Sequence, residues 1–306
     1  MTNCVIDIVS QSSLENIKCK MNNRKPFLIK NWDIGPCVTL WTPEYVSSCV
    51  GKTPVKCHVS LFKKLDFIKK NFQYKTLAFD ELIKRIYNSY NDSYFLDPEE
   101  VYYLRSLGND PRGKDVANFL SQCKELAKDF NVPPFFNKDD FFSSVFRASS
   151  QGLQLWTHYD VMDNILIQVQ GKKRALLWSP DEVSNMYMIG DKSQVLDVDN
   201  PDVEKFPKFS SSCRYECYMN AGDILFIPAL WFHNITALEP SLGVNIFWKN
   251  LPHELYDKHD SYGNKDLLPG FKSSLKSLKT LPDDYKNFYI QRMISELEKQ
   301  ITNKNT

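Results

Sequence analysis

The segment LWTHYDVMDN, residues 155–164, is the most informative part of this chain because it joins strand-like apolar residues to a His-x-Asp pair. In a β-strand successive side chains alternate between two faces, so His158 and Asp160 should point to the same side. His233 follows the apolar run GDILFIP of residues 222–228 and is expected on a strand near the rim of a sheet. Two imidazoles and one carboxylate form the facial triad of non-heme Fe(II) oxygenases. The sequence therefore predicts an iron centre with an open face for a cosubstrate and dioxygen.

Each histidine also has a simpler interpretation as a core residue whose hydrogen bonds are satisfied. The chain has only five histidines, and two of them fall in apolar segments. An unpartnered imidazole is costly to bury there. Taken alone, His158 or His233 is compatible with a core role, but their occurrence together with Asp160 favours a metal site.

A basic turn, QGKKR at residues 170–174, leads into the apolar strand Ala175–Trp178. If one lysine is buried at the start of this strand, it needs a fixed anion as a partner. A solvated hairpin is the better interpretation for Lys172 and Arg174, which leaves Lys173 as the candidate cation for a ligand carboxylate. Asn164 opens the next strand after Asp160 and is placed to reach the same ligand.

Short strand-like segments separated by turn signals extend from about Tyr102 to Trp248. Their spacing predicts a double-sheet jelly roll, also called a double-stranded β-helix, with the metal at its mouth. The chain is interpreted as α+β: residues 1–98 as an α/β flank, 99–261 as the catalytic jelly roll and 262–306 as a helical region. The eight predicted strands are Val145–Arg147, Gln154–His158, Asn164–Val169, Ala175–Trp178, Arg214–Met219, Asp223–Ile227, Phe232–Ala237 and Gly243–Trp248.

Outside the jelly roll, Phe27–Ile29 is expected to form an early strand, and two segments have helical periodicity. The first is Phe79–Ile86, with apolar residues at positions 79, 82, 83 and 86. The second begins at Pro282-Asp283 and carries an apolar stripe. The stripe can pack on the jelly roll or pair with the same helix of a second subunit. Its residues are Ile290, Met293, Ile294, Leu297 and Ile301.

Longer runs resemble the JmjC group of Fe(II)/2-oxoglutarate oxygenases. Within that group they are similar to the hydroxylases that act on the wybutosine-type modified guanosine beside the anticodon of tRNA-Phe. The resemblance extends from about Pro26 to the C-terminus. The runs are YYLRSLG (102–108), FFSSVFR (141–147), GLQLWTHYD (152–160), residues 221–234 from AGD to Asn234, GVNIFWK (243–249) and YGNKD (262–266).

The resemblance implies a metal site, a cosubstrate pocket and partners. It implies Fe(II), 2-oxoglutarate and dioxygen as cofactor and cosubstrates, tRNA-Phe as substrate, and a homodimer paired through the C-terminal helix. The implied iron ligands are His158, Asp160 and His233, and the implied 2-oxoglutarate contacts are Tyr103, Asn164 and Lys173.

One position departs from the family pattern. Relatives often carry Ser or Thr three residues before the first ligand histidine, where this chain has Leu155. Thr157 is close but has the opposite strand parity. We therefore expect the anchoring of the 2-oxoglutarate carboxylate to depend more strongly on Tyr103 and Lys173.

Two lysine clusters are candidates for phosphate contacts with tRNA. A formal net charge of +1 excludes a uniformly basic surface, so any RNA contact must be local. Charged faces are commonly only solvated, and we expect one of the two clusters to matter, preferably the C-terminal one. The clusters are Lys63, Lys64, Lys69 and Lys70, and Lys272, Lys276 and Lys279.

The N-terminal residues lack the pattern of a signal peptide, and no apolar run is long enough for a membrane span. The eight cysteines are scattered without a Cys-x-x-Cys pair, so reduced thiols in the cytoplasm are expected, with the nucleus left open.

Three other functions are possible for such a chain. A JmjC protein or histone hydroxylase or demethylase would use the same iron chemistry. A metal-binding cupin without oxygenase activity would favour His-x-His with glutamate, and a non-enzymatic scaffold would lack a ligand.

Overall fold

The computed structural model describes residues 2–10, 12–88, 97, 99–105, 116–257 and 267–302. Of the runs that carry the resemblance, residues 106–108 and 262–266 lie outside this part of the chain. The chain divides into two units, residues 1–251 and 252–306. Among the described residues, no helix is both long and apolar enough to cross a membrane.

The first unit contains two large sheets. The nine-stranded sheet has the order β2-β3-β13-β8-β15-β7-β6-β4-β5, and the four-stranded sheet has the order β1-β12-β9-β14. The strands are β1 (Thr2–Val5), β2 (Asp7–Ser10), β3 (Phe27–Lys30), β4 (Pro54–Ser60), β5 (Gln73–Ala78), β6 (Val101–Leu104), β7 (Phe141–Ser149), β8 (Asp163–Gln170), β9 (Lys173–Trp178), β10 (Met188–Ile189), β11 (Lys192–Ser193), β12 (Cys213–Met219), β13 (Ile224–Ile227), β14 (Phe232–Ala237) and β15 (Ser241–Trp248).

Helices cover the outer face of the nine-stranded sheet. The predicted helix at 79–86 is confirmed, and all four of its periodic apolar residues are buried. They join a large core cluster with residues such as Ile17 of α1 and Phe119 of α5. The helices of this unit are α1 (Leu14–Asn22), α2 (Cys37–Leu40), α3 (Pro43–Val50), α4 (Phe79–Ile86), α5 (Phe119–Gln122) and α6 (Lys124–Ala127).

The inner faces of the two sheets enclose a second core, which confirms the predicted jelly roll. Leu166 and Leu225 of the large sheet meet Ala175, Leu177 and Ile235 of the small sheet in one cluster. Strand β8 is buried at seven of its eight positions because both of its faces are covered. Seven of the eight predicted strands are present, as is the early strand β3; β7 begins four residues earlier and ends two residues later than predicted, and the others shift by at most two residues at either end.

The predicted strand Gln154–His158 is wrong as a regular element. The backbone pairs Leu153 with Ala237 and Leu155 with Ile235, but it then pairs His158 with His233. Between these pairs the segment has three steps from Leu155 to His158, whereas β14 has two from Ile235 to His233. The segment therefore contains one extra residue, as in a β-bulge, and forms only isolated bridges. The side chain of Asn234 bonds into the irregular stretch, donating to the Leu155 carbonyl at 2.7 Å and the Thr157 hydroxyl at 3.1 Å. Bulges of this kind occur preferentially beside active sites.

The expectation of eight reduced cysteines is wrong for one pair. Parallel pairing of β1 with β12 brings the Cα atoms of Cys4 and Cys213 to 6.4 Å, and the two residues form a disulfide. That Cα separation is within the usual disulfide range. The other six cysteines are free.

The second unit contains α7 (Leu267–Lys279) and α8 (Asp283–Thr302). The predicted start of the last helix after Pro282 is confirmed. Ile294, Leu297 and Ile301 of its apolar stripe are exposed, the last two by 63% and 70%. The lysines of the C-terminal cluster lie on α7 and are also exposed.

Candidate metal centre

Three side chains of the types that bind metal ions meet between the two sheets. One ligand atom from each of His158, Asp160 and His233 lies within 4.8 Å of the other two. Nε2 of His233 lies 3.6 Å from Oδ2 of Asp160. His233 comes from β14, where its parity matches the inward Ile235, whereas His158 and Asp160 come from the irregular segment opposite. Within the described ranges, this is the one cluster of three such residues suited to a metal ion.

Backbone carbonyls orient both imidazoles. Nδ1 of His158 lies 3.0 Å from the Trp156 carbonyl, and Nδ1 of His233 lies 3.1 Å from the Trp231 carbonyl. A carbonyl can only accept, so each Nδ1 carries a proton, and in the neutral form of each ring Nε2 is the nitrogen with the free lone pair. Burial and the neighbouring His233 hold the pKa of His158 well below its usual range. The ring is therefore neutral, which is the form that binds a metal.

Strand parity brings polar residues of the large sheet to the same interior. In β8, Ile165 and Ile167 face the helices, so Asn164 and Gln168 face the small sheet. By the same alternation Tyr103 of β6, Arg147 of β7 and Asn245 of β15 point inward. Asn164 and Tyr103 are buried, as expected of residues that contact a ligand between the sheets.

Lys173 supplies a buried cation to this interior. It is 4% exposed, at the same parity as Ala175 and Leu177 of the inner core. A Cβ on Gly243 would lie 3.0 Å from its Nζ, so the glycine leaves room for the amine. Burial and the nearby Arg147 guanidinium lower the pKa of Lys173 to about 7. Among the described residues, no carboxylate is within ion-pair distance of Lys173 or Arg147.

Arg147 is a site residue that sequence reasoning missed. Its Nη1 donates to the Tyr103 hydroxyl at 2.9 Å, and its Nε donates to Oδ1 of Asn245 at 3.1 Å. Asn245 in turn donates to Oδ1 of Asn164 at 3.3 Å. The only available signal was its inward parity within the run FFSSVFR.

Two donor groups of this network lack an acceptor among the described residues. Nδ2 of Asn164 is buried without a hydrogen-bond partner. The Tyr103 hydroxyl accepts from Arg147, so its own proton is available to another acceptor. With the Lys173 amine, these groups form a set of donors suited to an anion, and buried polar groups are seldom left unsatisfied. This donor set therefore fits a carboxylate ligand held between the two sheets.

The neighbours of Lys173 and the residues before His158 take other roles. Lys172 lies over the ring of Tyr218 at 5.9 Å. The prediction that Arg174 is only solvated is wrong. Its side chain forms ion pairs with Asp199 and Glu216 on the outer face. Thr157 is 1% exposed and bonded to Asn234, which agrees with its assignment away from the ligand pocket.

Two facing sheets around a His-Asp-His cluster define a protein of the cupin class. A family model described as Cupin-like domain matches residues 13–254. The chain is 51% identical over 289 residues to tRNA wybutosine-synthesizing protein 5 of Homo sapiens, covering 92% of this chain and 91% of that protein. It is 50% identical to the protein of the same name in Gallus gallus, covering 90% and 89% of the two chains. For Danio rerio the values are 51% identity, 90% and 86%. The chain therefore belongs to the cupin-like domain family and, within it, groups with these proteins.

Proposed function

We propose that this protein is an Fe(II)- and 2-oxoglutarate-dependent hydroxylase that acts on the wybutosine-type modified guanosine beside the anticodon of tRNA-Phe and forms hydroxywybutosine. The observation that carries the proposal is the cluster of His158, Asp160 and His233 in the interior of a fold that also buries Lys173, which has no carboxylate of the described residues within ion-pair distance. The names of the vertebrate relatives support tRNA wybutosine as the substrate and an enzyme as the class of protein.

The donor set fits Fe(II), with Nε2 atoms of His158 and His233 and a carboxylate oxygen of Asp160 as ligands. When bound, the iron supplies the chemistry that activates dioxygen at the expense of 2-oxoglutarate, which is converted to succinate and carbon dioxide. The protein holds the His158 imidazole neutral and fixes the rotation of both imidazoles through the Trp156 and Trp231 carbonyls.

The cationic pocket accounts for recognition of 2-oxoglutarate. Lys173 provides the charge for the carboxylate far from the metal, and the Tyr103 hydroxyl donates a second hydrogen bond. Asn164, four residues beyond Asp160, uses its free Nδ2 as a further donor. Arg147 holds Tyr103 in place through a 2.9 Å hydrogen bond and adds positive charge to the pocket.

Substrate binding and assembly involve other surfaces. Lys63, Lys69 and Lys70 are exposed, whereas Lys64 is paired with Asp197. The proposed tRNA contacts are these lysines and the exposed Lys272, Lys276 and Lys279 of α7.

The exposed apolar stripe of α8 supports a homodimer paired through this helix. The proposed division of labour is an N-terminal flank (1–98), a catalytic jelly roll (99–261) and a C-terminal region for dimerisation and tRNA contact (262–306), in a cytoplasmic enzyme.

The test is mass spectrometry of nucleosides from wybutosine-containing tRNA-Phe incubated with the protein, Fe(II) and 2-oxoglutarate. We expect a hydroxylated nucleoside, and none when 2-oxoglutarate is omitted or when His233→Ala replaces the native protein. If the tRNA nucleoside stays unhydroxylated while a histone peptide or another protein substrate is hydroxylated or demethylated, the result would instead support the protein-substrate alternative.

A further inference from the structure

A partly buried ion pair lies close in sequence to the proposed metal ligands without belonging to them. The carboxylate of Asp163 is 5% exposed and opens β8, three residues after Asp160. Both of its oxygens accept from Arg24, each at 2.6 Å, in a two-pronged pair. Such bidentate pairs fix geometry as well as charge. Oδ1 of Asp163 also accepts from the backbone N–H of Ala229 at 2.8 Å.

The turn that donates this third hydrogen bond leads directly to His233. It is closed by a 3.2 Å bond from the Trp231 N–H to the Pro228 carbonyl. Leu230 within it has a φ of 71°, a left-handed conformation that a side chain with a branched γ-carbon seldom adopts. The turn therefore depends on bonds from outside to keep its shape.

Those bonds join the two ligand-bearing segments. The N–H of Leu230 donates to the backbone carbonyl of Asp160 at 2.7 Å. The neighbouring N–H, from Ala229, donates to Asp163. Successive amides of one turn thus contact the segment that carries the first two ligands, while the turn itself leads to the third.

Arg24 also reaches the third ligand through its backbone. Its carbonyl accepts from the indole Nε1 of Trp231 at 2.9 Å. The carbonyl of Trp231 is the acceptor for Nδ1 of His233 at 3.1 Å. The same residue that pairs with Asp163 therefore fixes the tryptophan that orients the His233 imidazole.

We propose that Arg24 and Asp163 are positioning residues that hold the Asp160 segment and the Pro228–Trp231 turn together, so that the three metal ligands are preformed. The inference rests on the proposed metal centre and assigns to a residue outside the jelly-roll core a role in metal affinity. Partners that orient metal ligands typically change metal affinity by about 10- to 100-fold when removed.

The chain provides a matched control at the other end of the same strands. Lys30 pairs with Asp223 at 2.8 Å, and the Asp223 side chain is 8% exposed. Asp223 likewise supports a turn, accepting from the Asn220 N–H at 2.8 Å. Within the described part of the chain, neither side chain of this pair bonds to a metal-ligating residue. Lys30→Met therefore removes a similar ion pair without touching the ligand segments.

The experiment titrates Co(II) into the metal-free full chain and follows the visible absorption of the bound ion. We expect Arg24→Met to weaken Co(II) binding by about tenfold or more and to alter the absorption spectrum, while Lys30→Met stays within about twofold of the native affinity. Arg24→Lys keeps the positive charge but not the two parallel hydrogen bonds of the guanidinium group, so its Co(II) affinity should lie between those of Arg24→Met and the native protein. The double variant Arg24→Met/Asp163→Asn leaves no unpaired buried charge and should still bind Co(II) more weakly than the native protein.

Each outcome separates this proposal from the proposed function. Native affinity and spectrum in both Arg24→Met and the double variant would overturn the positioning role alone. Equal loss in Arg24→Met and Lys30→Met would also overturn it, because the effect would then be general stability. A native protein that binds no Co(II), or a His233→Ala variant that binds it normally, would overturn the metal centre itself.

Discussion

Replacing Lys173 by methionine should raise the KM for 2-oxoglutarate by at least about tenfold. Methionine fills a similar volume, so the change removes the charge without opening a cavity. Lys173 is 4% exposed and has no carboxylate of the described chain beside it, so its charge is available to the cosubstrate. A hydrogen bond to a charged group contributes about 1.5–3 kcal/mol, and about 1.4 kcal/mol already corresponds to a factor of ten. The expected increase is therefore about 10- to 150-fold.

The assay is succinate formation with increasing 2-oxoglutarate at saturating tRNA and iron. Lys172→Met is the matched control, because its side chain lies over Tyr218 on the other face of the strand and should leave KM nearly unchanged. If the two variants exchange these results, the assignment of inward and outward faces in β9 is wrong. If neither changes KM, the cationic pocket does not bind the cosubstrate.

Further predictions concern pH, the irregular segment and tRNA. Burial lowers the pKa of Lys173 to about 7, and binding of 2-oxoglutarate requires the protonated amine. The affinity for 2-oxoglutarate measured by calorimetry should therefore fall as the pH rises above about 7. The Lys173→Met variant should not show this pH dependence. In the unfolded chain Lys173 has its ordinary pKa of about 10.4, so it keeps its proton to higher pH than in the folded protein. In urea denaturation of the ligand-free protein, the contribution of Lys173 to the free energy of unfolding should therefore increase as the pH rises from about 7 to about 10.4. Asn234→Ala removes the donor to the Leu155 carbonyl and should lower the free energy of unfolding by about 1–3 kcal/mol. Thr157→Val should cost less, because the Leu155 carbonyl then still accepts from Asn234. Changing Lys272, Lys276 and Lys279 to Gln should weaken tRNA-Phe binding and reduce the salt slope in filter binding by roughly one unit per lost phosphate contact, whereas an unchanged slope would mean that the cluster is only solvated.

Local periodicity was sufficient to predict much of the fold. The spacing of Phe79, Leu82, Ile83 and Ile86 predicted α4 with its buried face, because a helix face is fixed by residues close in sequence. The family resemblance singled out Lys173 rather than Lys172 or Arg174, and the structure buries Lys173. These predictions needed no knowledge of what lies opposite.

The parts that could not be predicted depend on residues far apart in the chain. The extra residue between Leu155 and His158 becomes visible only when β14 is placed beside this segment, so simple alternation failed there. The Cys4–Cys213 disulfide depends on a parallel pairing of strands separated by 209 residues. Arg147 and the Arg24–Asp163 pair were missed because their importance lies in which partners they meet, and no sequence spacing encodes that.

The central claim is that this protein uses the His158, Asp160 and His233 cluster to place oxygen from dioxygen on a tRNA nucleoside at the expense of 2-oxoglutarate. Its most direct test is turnover of wybutosine-containing tRNA-Phe under oxygen-18 gas, with mass spectrometry of the nucleoside and of succinate. The account predicts one labelled oxygen in the nucleoside for each succinate formed, and no labelled nucleoside with His158→Ala. A hydroxyl that carries oxygen from water, or labelled nucleoside formed by the His158→Ala variant, would contradict the account.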